Sequence, residues 1–182
     1  TIDSNSVLHL AIKYDLDDIA NQLIDKMIIN KDININMQNR HGITPLYIAI
    51  EKGKREIVEK LIGQVGIHVF NKFQETLLHI ASRYEQPEIM QMLIDRGAGI
   101  YINTQNKFGT TPLYLAIEEG NYKSAKVLIN NNADITFVDN NKNTLLHLVL
   151  RGEKPSEEAE VIRMLINKNI ININAQNEDG DT

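Results

Sequence analysis

Five hexapeptides decide how this chain is read: SVLHLA (Ser6–Ala11), TPLYIA (Thr44–Ala49), TLLHIA (Thr76–Ala81), TPLYLA (Thr111–Ala116) and TLLHLV (Thr144–Val149). A sixth copy opens at Thr182. Their first residues are separated by 38, 32, 35, 33 and 38 positions, the period of a chain built from stacked units. Each hexapeptide is followed by a second apolar cluster. The first two are Ile19, Ala20, Leu23, Ile24 and Ile57, Val58, Leu61, Ile62. The later three are Ile89, Met90, Leu93, Ile94, then Ser124, Ala125, Leu128, Ile129, then Val161, Ile162, Leu165, Ile166. Residues four apart share one face of a helix, so each unit reads as two short helices and a loop.

The punctuation agrees with that reading. Threonine at the head of the hexapeptide is a natural N-cap, because its hydroxyl accepts from a free backbone N–H. Pro45 and Pro112 follow at the first helical position, where a missing N–H costs nothing. Gly53 and Gly120 end the first helices, where a left-handed residue is wanted. Pro87 and Ser156 mark starts of second helices.

Composition bounds the rest. The chain has 182 residues, 42% of them apolar, with a net charge of −5. Isoleucine (27) and asparagine (21) supply much of the chain, yet the apolar residues are regularly spaced, which excludes wholesale disorder. The acidic balance argues against nucleic acid or an anionic membrane as partner, since either needs a basic face. Without cysteine there is no disulfide framework, thiolate metal site or cysteine nucleophile. No apolar run approaches the 18 or so residues of a membrane span, and no signal-peptide pattern is present. A cytoplasmic protein is expected.

These residues resemble the ankyrin repeat, whose pattern runs roughly D-x-x-G-x-T-P-L-H-x-A, then G, then V-x-x-L-L, then G-A-D-x-N. The resemblance covers essentially the whole chain and implies an all-α solenoid of stacked helix-turn-helix units with protruding β-hairpin-like loops. The expected domain is single, 1–182, with repeats at 1–38, 39–70, 71–105, 106–138 and 139–176 and a partial sixth at 177–182. Extra residues are expected in connections, five between Ile24 and Asn36 and four near Lys154–Glu158. Each unit should depend on its neighbours to bury its apolar face. The last full unit keeps an apolar cluster where a polar cap is usual, so further repeats or another domain are expected to follow.

Five histidines invite a metal or catalytic reading. His9, His79 and His147 hold the fourth hexapeptide position, where Tyr47 and Tyr114 stand in the other copies. Separated by two units each, they cannot share one ion. The resemblance implies that they hydrogen-bond at the junction of loop and first helix. Asp139, Asn141 and Asn143 have the one-three-five spacing of a calcium loop, but Thr144 stands where its glycine belongs and Leu150 where its glutamate belongs. No phosphate loop, H-E-x-x-H or G-x-S-x-G is present. The chain is expected to be no enzyme and to need no cofactor or metal.

The resemblance places partner-facing residues four, three and one before the hexapeptide threonine, and seven and eight after it. In the second unit these are Arg40, His41, Ile43, Glu51 and Lys52; in the third, Lys72, Phe73, Glu75, Arg83 and Tyr84. The fourth offers Lys107, Phe108, Thr110, Glu118 and Glu119, and the fifth Asn140, Asn141, Asn143 and Arg151. Stacked, they make a basic ladder of Arg40, Lys72 and Lys107 beside His41, Phe73 and Phe108, with Arg83 and Tyr84 close by. Exposed aromatics next to arginine are the composition of binding hot spots, and a basic strip on an acidic protein suits a protein or peptide with acidic segments. The candidate partner-binding set is therefore Arg40, His41, Lys72, Phe73, Arg83, Tyr84, Lys107 and Phe108, on a monomer. Two further readings stand beside this one: a regulatory or substrate-recruiting domain of a larger enzyme or channel, and a structural spacer.

Overall fold

The computed structural model describes residues 4–30, 32–152, 155–168 and 172–182. Lys154, named above with the fifth-unit insertion, lies outside them. Ten α-helices follow in order among the described residues: α1 (Val7–Lys13), α2 (Asp17–Ile29), α3 (Pro45–Glu51), α4 (Arg55–Val65), α5 (Leu77–Arg83), α6 (Pro87–Asp95), α7 (Pro112–Glu118), α8 (Tyr122–Asn130), α9 (Leu145–Val149) and α10 (Pro155–Asn167). A 3₁₀ turn at Ala98–Tyr101 follows α6, entered through Gly97 in the left-handed region. Among the described residues the only β pairing is an isolated bridge between Val138 and Thr144. No described helix is long and apolar enough to cross a membrane.

Helices pair within a unit, α1 with α2 through α9 with α10, and pack on the same element of the next unit: α1 on α3, α3 on α5, α5 on α7, α7 on α9. The chain is thus an all-α ankyrin-type solenoid with one continuous apolar seam. Each leucine sealed in that seam contributes about 1.5–3 kcal/mol relative to exposure. Burial depends on the neighbour and not on the residue. Val7, on the first unit's outer side, is 66% exposed, while its counterpart Leu77 inside the stack is 1% exposed. At the other end Ile166 is 47% exposed against 1% for its counterpart Ile129.

The insertions enter the helices as well as the connections. α6 and α8 have nine residues each, whereas α2 and α10 have thirteen. Four residues are close to one helical turn of about 3.6, so an added turn leaves the apolar face in phase with its neighbours. In α2 the turn is added at the C-terminal end, and in α10 it precedes the Val161 cluster. α10 accordingly begins at Pro155, one residue before the Ser156 expected as its start.

Candidate partner-binding surface

The surface rests on loop tips that the sequence builds the same way each time. Asn39, Asn71, Asn106, Asp139 and Asn177 stand five residues before each threonine, and each offers one side-chain oxygen to two backbone N–H groups, two and four residues on. For Asn71 the donors are Phe73 at 2.9 Å and Glu75 at 3.0 Å; for Asp139 they are Asn141 at 2.9 Å and Asn143 at 2.8 Å. The same pair of bonds recurs at Asn39, Asn106 and Asn177. Such Asx turns fix the tip together with a backbone bond from the same residue's N–H to the carbonyl four residues on. The chain then reverses through a left-handed residue, Gly42, Gln74, Gly109, Lys142 or Gly180.

Helix starts anchor the tips to the stack. Thr44, Thr76, Thr111 and Thr144 each accept the backbone N–H three residues on, and Ser6 does the same in the first unit. In the histidine copies the ring completes a reciprocal cap, its Nδ1 accepting the N–H of the cap residue. That leaves the proton on Nε2, which donates to a backbone carbonyl of the next loop: His9 to Ile43 at 2.9 Å, His79 to Thr110 at 2.9 Å and His147 to Asp181 at 3.1 Å. Burial pushes the imidazoles of His9 and His79 below their ordinary pKa, partly offset by these carbonyls. The histidines are therefore staples between units. Tyr47 and Tyr114 instead meet side chains of the next unit, Tyr84 and Asp139.

Of the eight candidate residues, the structure brings Phe73 and Phe108 together. Their rings stack with centroids 5.9 Å apart and planes at 27°, and they remain 48% and 63% exposed. The backbone beneath them is fixed, since the Lys107 N–H donates to the Phe73 carbonyl at 2.8 Å. Lys72 is exposed and its ammonium donates to the Arg40 carbonyl. Arg40 and His41 are exposed, the Arg40 Nε donating to His41 Nε2 at 2.9 Å. Lys107 is exposed beside Phe108. Arg83 and Tyr84 lie half-buried at the end of α5.

Arg83 is held by carboxylates on both sides. It donates to Oε1 of Glu75 and lies 3.5 Å from Glu119. Glu75, expected among the free positions, is only 3% exposed: Asn71 Nδ2 donates to its other oxygen at 2.7 Å. Asn143, its counterpart in the fifth unit, is likewise buried, accepting from Arg151 at 3.2 Å and Asn177 at 3.0 Å. In these two units the polar acceptor side chain one residue before the cap folds under the tip, where the arginine eight residues on reaches it. The spacing Glu75–Arg83 and Asn143–Arg151 was visible in the sequence and is the signal for this clamp. The recurring asparagine five before the threonine was likewise there to be read.

Near α7 the wall turns acidic. The Tyr114 hydroxyl lies 3.4 Å from Glu118 and 3.4 Å from Asp139. Burial, then the charges of Glu118 and Asp139, push this phenol up to about 12. Glu118 is raised too, first by loss of hydration and further by Glu119 and Asp139. Burial acts the same way on Asp139, but the N–H groups of Asn143 and Asn141 prevail and hold its carboxyl below the ordinary range.

The family model for ankyrin repeats (3 copies) matches residues 2–72 and 78–177, almost the whole chain. The chain belongs to the ankyrin repeat family. Among its relatives is the NAD-dependent deacetylase sir2B of Dictyostelium discoideum, 27% identical over 180 residues, which are 91% of this chain and 23% of that protein. The ankyrin repeat protein FPV034 of fowlpox virus is 34% identical over 128 residues, 70% of this chain and 29% of the relative. The nuclear factor NF-kappa-B p105 subunit of Gallus gallus is 24% identical over 155 residues, 83% of this chain and 16% of the relative. This ankyrin repeat chain spans less than a third of the length of each. Ankyrin repeats generally mediate protein–protein interaction.

Proposed function

We propose that this ankyrin repeat domain is a non-catalytic module that grips a partner protein or peptide along its loop tips and the concave side of its first helices. The observation that carries this reading is the stacked, exposed Phe73–Phe108 pair on a braced backbone. Rigid aromatics lose little freedom on binding and exclude water from neighbouring contacts, which is why such residues dominate interface energetics. Arg40, Lys72 and Lys107 on successive tips would steer acidic side chains of the partner, with His41 alongside, while Arg83 and Tyr84 form the adjoining wall. Affinity capture with the chain against its source proteome tests this. The wild type is expected to retain a specific partner, and a Phe73→Ala/Phe108→Ala double variant to lose it. Retention by both, or specific capture by neither, would defeat the reading.

A second reading makes the stack a regulatory or substrate-recruiting domain of a larger enzyme or channel. What favours it is the match of 91% of this chain to less than a quarter of a deacetylase. Immunoblotting of the native protein tests it: a band near 20.7 kDa, the mass of this chain alone, would leave it without support.

A further inference from the structure

Between the fourth and fifth loop tips lies a cleft of about 290 Å³ whose walls include Phe108, Tyr114, Phe137 and Asp139. The Tyr114 and Phe137 rings meet edge to face, centroids 5.3 Å apart, and Phe108 stands exposed on the same cleft. The Tyr114 hydroxyl faces two carboxylates at equal distance, Asp139 and Glu118, both at 3.4 Å. It has one proton to give, and both distances exceed the roughly 2.5–3.0 Å of a settled O–H···O bond. Among the described residues neither carboxylate has an ion-pair partner, whereas Glu59, Glu75, Glu119 and Glu160 each have an arginine or lysine within reach. The Asp139 charge is also not what builds its loop tip, because Asn39, Asn71, Asn106 and Asn177 make the same turn with a neutral amide.

We propose that this cleft takes a cationic side chain, arginine or lysine, from the bound partner. Aromatic faces carry negative potential that attracts a cation, and Asp139 on the cleft wall adds a carboxylate without an ion-pair partner among the described residues. Glu118, whose charge Arg83 partly offsets, lies outside the cleft, 3.4 Å from the Tyr114 hydroxyl. The inference rests on the interaction reading above and adds a polarity to it. Acidic residues of the partner lie against Arg40, Lys72 and Lys107, and a basic residue lies further along, between the fourth and fifth tips.

Chemical-shift titration of the ¹⁵N-labelled chain with capped arginine and capped lysine amides tests the site directly. Either cation is expected to shift the amides of Phe108, Asn140 and Asn141 along a saturable curve. Capped citrulline, which has the shape of arginine without its charge, is expected to bind about fivefold more weakly. Asp139→Asn, the amide that the sister tips carry, is expected to weaken the arginine response about threefold or more. Equal responses to arginine and citrulline, no response to either cation, or no loss in Asp139→Asn would overturn the site. Partner capture that ignores Phe73 and Phe108 would instead overturn the interaction reading while leaving a saturable arginine response intact, so the two failures are distinguishable.

Discussion

The Nε2 of His79 lies 2.9 Å from the carbonyl oxygen of Thr110, and through that bond the third unit holds the loop of the fourth. The other ring nitrogen is committed to the Thr76 N–H at 3.1 Å, so the staple needs a neutral imidazole. Burial lowers the folded-state pKa of His79 and of His9 below the unfolded value of about 6.5. The unfolded chain therefore binds protons first as pH falls. The stabilisation is present above about pH 6.5 and is lost as pH drops from there through the lowered folded value. Urea midpoints at pH 7.5 and pH 5 are expected to show this fall. His79→Gln should destabilise by about 1–3 kcal/mol at neutral pH and flatten the dependence. An equally steep dependence in that variant would remove His79 as its source.

Gln74 and Lys142 occupy the left-handed position at which Gly42 and Gly109 stand in sister loops, with φ of 58° and 61°. A side chain there costs about 1 kcal/mol that glycine does not incur. Gln74→Gly is therefore expected to raise Tm by about 2–4 °C, a gain in a chain of this size that differential scanning calorimetry resolves. A fall in Tm would show that the Gln74 side chain does more than suffer the turn.

Arg83 neutralises a carboxylate that has almost no access to water. Removing the arginine leaves Glu75 buried with only Asn71 as a hydrogen-bonding side-chain partner. Because the arginine is about a third exposed, screening tempers the cost, and Arg83→Met is expected to lose about 1–2 kcal/mol. Adding Glu75→Gln to that variant should recover part of the loss, since no stranded charge remains. Chemical denaturation of the two variants reads the difference, and a double variant weaker than the single would refute the clamp.

Phe73→Ala and Phe108→Ala make the opposite case. Both rings are substantially exposed, so each change is expected to leave stability within about 0.5 kcal/mol. Partner affinity in the double variant should fall tenfold or more, about 1.4 kcal/mol. Paired calorimetric melting and binding measurements separate the two effects.

The fold was open to reading because five capped hexapeptides at near-constant spacing admit one arrangement. The second helices followed from apolar pairs four apart, and Gly53 and Gly120, expected to be left-handed, have φ of 67° each. The surface was less open. Position rules placed Glu75 with the exposed residues, but a flexible acid near an arginine can fold under a loop, and the register alone does not say which way it turns. The facing of Tyr114 by both Glu118 and Asp139 joins residues of two units, a relation that no single repeat contains. Extra residues between Ile24 and Asn36 read as loop because spacing counts positions and does not see that just over one turn prolongs α2.

The alternation of histidine and tyrosine along the stack gives its joints two characters. Buried side-chain-to-backbone bonds pin the first unit to the second and the third to the fourth, while the second meets the third, and the fourth the fifth, through tyrosines alone at that position. Under mechanical load the rod should thus yield in blocks of two, and an optical-tweezers trace should show extension steps of paired length, not five equal ones.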